Sequence, residues 1–245
     1  MLFRSKADEV LRHLTSKTKL IIINSPNNPS GAVYDPVELK KLAAGAAAKQ
    51  VYIISDEVYE DIIFKDNMHY SMASDPEVFK WIISVFSFSK TYAMTGWRVG
   101  YLVASKLIVD EIIKLSQFSI TSLAPFSQLG ALIALRNSEV HSYVKAMRTE
   151  YETRQQLIQK EIKETWLEEA CTIPQGTFYV LINTSRFGIP SLELAKKIVD
   201  FANVSFTPGI AFGDSMDHFL RMCFATSEKN IRNAIHSLLA YEKHC

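Results

Sequence analysis

Three short apolar runs constrain this chain more than any other feature of its sequence. Leu20–Ile23, Val51–Ile54 and Trp81–Phe88 are rich in Ile, Val or aromatic residues, and each stops abruptly at polar residues. Runs this short and this uniformly apolar fit strands covered on both faces. Between the first two lies Pro36 to Gln50, with Leu39, Leu42 and Ala43 at helical spacing and Pro36 suited to a first helical turn. Strand, helix, strand at this spacing predicts a parallel sheet joined by right-handed crossovers. A fourth run, Val99–Ala104, follows the third so closely that it predicts an antiparallel strand.

The second half changes character. Lys106–Leu115 and Leu129–Arg136 read as helices, and Ser138–Leu167, free of Gly and Pro, predicts one extended helix. Strands over Thr177–Ile182, Val204–Thr207 and Phe219–Phe224 then alternate with helices over Ser191–Phe201 and Glu228–Glu242. The expected class is α/β: a larger domain over residues 1–137, a linking helix over 138–168, and a smaller α+β domain over 169–245.

Composition narrows the function. A net charge of +1 on 245 residues, with no basic block, excludes a surface that recruits nucleic acid nonspecifically. Leu115 to Leu135 carries no charge and is long enough to cross a bilayer. Ser116, Gln117, Ser119, Thr121, Ser122 and Gln128 make it too polar for lipid, so a buried helix of a soluble protein is expected instead. The N-terminus has charges at Lys6, Asp8 and Glu9 and no apolar stretch behind them, unlike a secretory signal. Cys171, Cys223 and Cys245 are odd in number and far apart, which fits a reducing, cytoplasmic setting. No metal site of recognisable spacing is present among the cysteines and histidines; His69 and His218 read as ordinary residues.

The chemistry sits at strand ends. Asn28, Asp56 and Lys90 each lie just past the C-terminal end of a predicted strand, where open α/β sheets bind ligands. Singly, each has an ordinary explanation: a turn residue before Pro29, a helix cap, a surface lysine. Together they read as a site.

Here the sequence resembles a known family. Ser87–Gly100, SFSKTYAMTGWRVG, is similar at every constrained position to the lysine-attachment motif of class I and II pyridoxal-phosphate-dependent aminotransferases, of fold type I and the aspartate aminotransferase superfamily. Asn27–Gly31, NNPSG, resembles the family's NP[ST]G turn, and Ser55–Tyr59, SDEVY, its DE-x-Y strand end. Arg221 in Leu220–Ala225, LRMCFA, resembles the family's late substrate-binding arginine.

The resemblance implies a partial large domain, a smaller C-terminal domain and pyridoxal 5'-phosphate as cofactor. It implies transfer of an amino group from an L-amino acid to a 2-oxo acid through a Schiff base on Lys90, whose amine can also move protons. Asp56 would pair with the pyridinium nitrogen, keeping the ring an electron acceptor. Asn28 and Tyr59 would bond the ring's phenolic oxygen, and Ser87 and Arg98 the phosphate. Arg221, with Asn28, would hold the substrate carboxylate. Phe178 and Tyr179 read as strand packing.

Family members continue upstream of a residue like Leu20, with a loop for the phosphate and an aromatic that stacks on the ring. The chain is therefore expected to be part of a longer enzyme and to leave two sheet edges unpaired. Family active sites lie at dimer interfaces, so a homodimer is implied, with no membrane or nucleic-acid partner. The same motifs serve C–S lyases, and a non-catalytic remnant would also retain them.

Overall fold

The computed structural model describes residues 5–65 and 67–244, so Cys245 lies outside it. These residues divide into two compact units. The first comprises the described residues of Arg4–Pro26 and Val33–Met147; the second comprises those of Asn27–Ala32 and Arg148–Cys245.

The first unit is built on a four-stranded sheet, in spatial order β1 (Leu20–Asn24), β2 (Tyr52–Asp56), β3 (Ile82–Ser87) and β4 (Gly100–Val103). The first three strands run parallel and β4 returns antiparallel, as the spacing of the apolar runs predicts. A helix, α1 (Ala7–His13), precedes β1 and was not anticipated. The crossover α2 (Pro36–Ala48) starts where Asp35 accepts a hydrogen bond from Val37 N at 2.8 Å and Pro36 takes the first turn. Its Leu39, Leu42, Ala43 and Ala46 pack with Ile23, Ile53 and Ile82 into one core.

Side chains alternate across a strand, so the register puts Ile23, Ile53 and Ile82 on this covered face. The opposite face carries Leu20, Ile22 and Tyr52, all exposed, with Ile22 at 68%. Full coverage on both faces, expected from the uniform apolar character, is thus met on one face only.

After β3 comes one short turn of helix, α3 (Phe88–Thr91). The stretch read as one buried helix over Leu115–Leu135 is instead divided between α4 (Lys106–Ser119) and α5 (Pro125–Arg136). Thr121 in the left-handed region (φ 63) and Pro125 at the next helix start separate them. Nor is the stretch buried: Leu115, Phe126 and Leu129 are exposed, and Phe118 is 91% exposed. Only the small-residue side of α5, Ser127, Ala131 and Ala134, is covered, and the two alanines pack with Phe88, Met94 and Val99. No described helix is long and apolar enough to cross a membrane.

A long helix, α6 (Ser138–Ile162), passes from the first unit's sequence into the second's. It stops short of Leu167 because Glu164 turns left-handed (φ 59), and the short α7 (Leu167–Ala170) follows. The second unit contains an antiparallel sheet ordered β5 (Tyr179–Asn183), β7 (Phe219–Cys223), β6 (Thr207–Pro208). The strand expected over Val204–Thr207 shrinks to the two residues of β6. Two amphipathic helices, α8 (Ser191–Ala202) and α9 (Glu228–His244), bury Leu194, Ile198, Ile231, Ile235 and Leu238.

Candidate active site

In the first unit, parallel pairing brings two strand tips side by side. Asp56, the last residue of β2, lies opposite Val85 of β3. Ser87, two residues further, leaves the same face of the sheet, and Lys90 follows in α3. The Lys90 Nζ sits 5.7 Å from the centre of the Tyr59 ring, which is itself buried three residues beyond Asp56. The amine, the phenol and the carboxylate therefore belong to one end of one sheet.

Asp56 is half-buried. Burial chiefly, and the neighbouring Glu57 charge in the same sense, raise its carboxyl above the usual range, while the Val58 N–H lowers it. Ser87 caps α3, its Oγ accepting from Ser89 N at 3.1 Å, which leaves its own hydrogen to donate elsewhere. Arg98 is exposed and left-handed (φ 52), two residues before Gly100, whose strand partner is Ser87. Arg98 Nη1 donates to Thr95 O at 3.0 Å, which restrains the exposed guanidinium. Amine, carboxyl, phenol, hydroxyl and guanidinium together form a donor set that fits a phosphorylated pyridine aldehyde.

A second group forms inside the other unit. Arg221, in the middle of β7, donates from Nη1 to Asn28 Oδ1 at 2.7 Å and from Nη2 to Thr207 Oγ1 at 3.1 Å. Its guanidinium lies over the Tyr179 ring at 4.2 Å and the Phe212 ring at 5.0 Å. Its Nε is buried without a partner, and no carboxylate among the described residues pairs with it. A half-buried cation fixed in orientation by neutral groups is suited to receive an anion such as a carboxylate. Asn28 is held in turn by the 27–32 turn, in which Gly31 N donates to Asn27 O and Ser30 Oγ to Asn27 Oδ1. Gly31 is left-handed (φ +70), and a Cβ there would lie 2.4 Å from Pro174 Cβ.

Several residues escaped the sequence reading. Tyr179 packs within its strand as expected, yet its ring also carries Arg221, and nothing in the sequence pairs Thr207 or Phe212 with that arginine. His69, read as ordinary, bonds Glu57 at 2.7 Å. Potential ligand atoms of Glu57, Glu60 and His69 lie within 4.8 Å of one another, but Glu57 and His69 already bond each other. The one available signal was Glu57 itself, an acid directly after an apolar strand, where burial demands partners. A groove of about 710 Å³ in the second unit, lined by Cys223, Thr226, Asn230, Asn233, His236 and Ser237 among others, contains none of the candidate cofactor- or substrate-binding residues.

Comparison with known proteins agrees with the motifs. Residues 3–238 match the model of the family described as aminotransferase class I and II. An aspartate aminotransferase of Pyrococcus abyssi is 37% identical over 233 residues, covering 95% of this chain and 59% of that protein. The aromatic-amino-acid aminotransferase 2 of Thermococcus litoralis is 36% identical with the same coverage. Among solved structures, an aromatic aminotransferase from Pyrococcus horikoshii superposes with a TM-score of 0.93 at 35% identity, covering 99% of this chain and 64% of that one. Thermus thermophilus aspartate aminotransferase with maleate gives 0.89 at 32% identity, covering 96% and 60%. The chain thus spans about 60% of the length of the relatives it matches. A family match that takes in the lysine motif, the strand-end acid and the late arginine leaves one assignment: this chain belongs to the class I and II aminotransferases.

Proposed function

We propose that this chain carries cofactor- and substrate-binding residues of an enzyme that transfers an amino group from an L-amino acid to a 2-oxo acid, using pyridoxal 5'-phosphate held on Lys90 as a Schiff base. The observation that carries the reading is the delivery of Asp56 and Lys90 by adjacent parallel strand tips, with the Lys90 Nζ against Tyr59. When bound, the cofactor supplies an electrophilic carbon and a ring that accepts electron density.

Each side chain then has a task its surroundings support. Lys90 would hold the cofactor covalently, and its Nζ, when free, would move the proton at the substrate Cα. The half-buried Asp56 holds the proton on the ring nitrogen. Tyr59 donates to the ring oxygen, and Ser87 and Arg98 donate to phosphate oxygens. Arg221 grips the substrate carboxylate, and Asn28 serves as its fixed acceptor while also being assigned to the ring oxygen. The working form is taken as a cytoplasmic homodimer in amino acid metabolism, with small-molecule partners.

The test is transfer of labelled nitrogen from amino donors to 2-oxo acids. Label appearing in the acceptor only when Lys90 is present supports the reading. Pyruvate and ammonia released from cysteine conjugates without an acceptor would instead identify a lyase, and neither outcome would identify a non-catalytic chain.

A further inference from the structure

The two-residue strand β6 meets β7 beside Arg221. Thr207 is the partner of Arg221 in that antiparallel ladder, and Leu181 of β5 is its partner on the other side. Directly opposed residues share a face of the sheet, so the Thr207 hydroxyl and the Arg221 guanidinium leave the same side. There Arg221 Nη2 donates to Thr207 Oγ1 at 3.1 Å. Tyr179, two residues before Leu181, shares that face, and its ring centre lies 4.2 Å from the guanidinium carbon. Next after β6, Gly209 has the carbonyl oxygens of Met216 and Phe219 where a Cβ would stand. The turn that brings Phe212 to the same guanidinium is therefore held closely against them.

An edge strand needs no hydroxyl at this position. Valine has the same branched shape and suits a strand as well. What the hydroxyl adds is an acceptor for a cation that leaves the cation its charge, whereas an acid in its place would neutralise it. The groups around the guanidinium are an amide, a hydroxyl and two aromatic rings: Asn28, Thr207, Tyr179 and Phe212. Each terminal nitrogen carries two hydrogens and gives one to these bonds, Nη1 to Asn28 and Nη2 to Thr207, so each keeps one for an incoming carboxylate. Two anchors, one on each terminal nitrogen, also oppose rotation about the Cζ–Nε bond. With the Asn28 bond alone, the far side of the fork would be restrained only by ring contacts. A planar fork grips a carboxylate through two parallel bonds, so fixing its plane beforehand favours binding.

We propose that Thr207 is a positioning residue for Arg221: its hydroxyl fixes the plane of the guanidinium, so that both terminal nitrogens meet the carboxylate of an amino acid or 2-oxo acid. The inference rests on the role proposed above for Arg221. It separates the hydroxyl of Thr207 from its bulk. Thr207→Ser keeps the acceptor and drops a methyl group, while Thr207→Val keeps the bulk and drops the acceptor. Carboxylate affinity follows the acceptor.

The experiment is nitrogen-15 NMR of the arginine-labelled chain without cofactor, with the Arg221 side-chain signals assigned through Arg221→Lys and pyruvate as the titrated carboxylate. In wild type the two terminal nitrogens should give separate signals, because the anchors slow rotation of the guanidinium. A single averaged signal would overturn the proposal, whether or not any variant folds. Thr207→Val is expected to merge those signals and to weaken pyruvate binding about tenfold, as loss of one bond to a charged group implies. Thr207→Ser should stay within about twofold of wild type. Equal pyruvate affinity in wild type and Thr207→Val, or an equal loss in the Ser and Val variants, would also overturn it. Wild type separates the two levels of argument. No response of its Arg221 to pyruvate sinks the substrate role of Arg221 and the positioning role with it, whereas wild-type binding that Thr207→Val leaves unchanged sinks only the positioning role.

Discussion

Gly31→Ala is the substitution whose cost the structure sets most clearly. Gly31 sits at φ +70, and an added Cβ would meet Pro174 Cβ at 2.4 Å, Pro174 Cα at 3.0 Å and the Tyr179 carbonyl oxygen at 3.0 Å. The left-handed backbone alone costs an L-residue about 1–2 kcal/mol. Overpacking against the Pro174 ring and Tyr179 backbone, neither of which can swing aside, adds about 1–3 kcal/mol. Together these give about 2–5 kcal/mol, or a fall of about 1–2.5 M in urea midpoint at a slope near 2 kcal/mol per M. Gly188 is the internal control, since it lies in the same unit at φ +63 with nothing within 4 Å of its Cβ position. Gly188→Ala should show only the backbone part, about 1–2 kcal/mol. Urea unfolding followed at Trp166, the second unit's tryptophan, with Trp81 and Trp97 replaced by Phe, isolates the relevant transition. Equal midpoints for the two alanine variants would refute the steric argument. Because the Gly31 turn also carries Asn28, the destabilised variant should loosen the 2.7 Å bond from Arg221.

Three further outcomes follow from the structure. Burial, with the Asp61 and Glu57 charges in the same sense and His69 opposing, pushes the Glu60 carboxyl from 4.5 up to about 7. The folded chain therefore binds the extra proton, and the associated stability is present below pH 4.5 and lost as pH rises through about 7. For a carboxyl this exposed, screening limits the effect to ~1–2 kcal/mol; Glu60→Gln should flatten melting temperature against pH, and an unchanged slope would contradict this. Burial pushes the Cys171 thiol up to about 12, while Cys223 is exposed. A thiol reagent at pH 8 should modify Cys223 well before Cys171, and peptide mapping that finds equal rates would contradict it. Replacing exposed Phe118 and Phe126 by Ser should cost less than about 0.5 kcal/mol and reduce binding of an apolar dye. A large loss of stability would show those rings to be packed.

Much of this fold was legible because strands and crossovers obey local rules. The parallel order of β1, β2 and β3 followed from short apolar runs with a helix of known spacing between them. The reading of Leu115–Leu135 failed because uncharged composition reports hydrophobicity, whereas burial depends on what covers the surface. Phe118 is apolar and 91% exposed. Likewise, the apolar run of β1 carries no mark that one of its faces stays open at Ile22. Motif residues such as Lys90 and Asp56 were visible because their chemistry is tied to short segments. The bonds of Arg221 to Thr207 and of His69 to Glu57 join residues 14 and 12 positions apart through tertiary folding, which no local pattern encodes.

The central claim concerns one amine, and the most direct measurement asks where the cofactor attaches. The chain is incubated with pyridoxal phosphate, reduced with borohydride to fix any imine, and mapped by peptide mass spectrometry. The account predicts the adduct on Lys90, and none at that level in Lys90→Ala. Adduct spread over exposed lysines such as Lys41, Lys106 and Lys114, at the same level in both proteins, would contradict it.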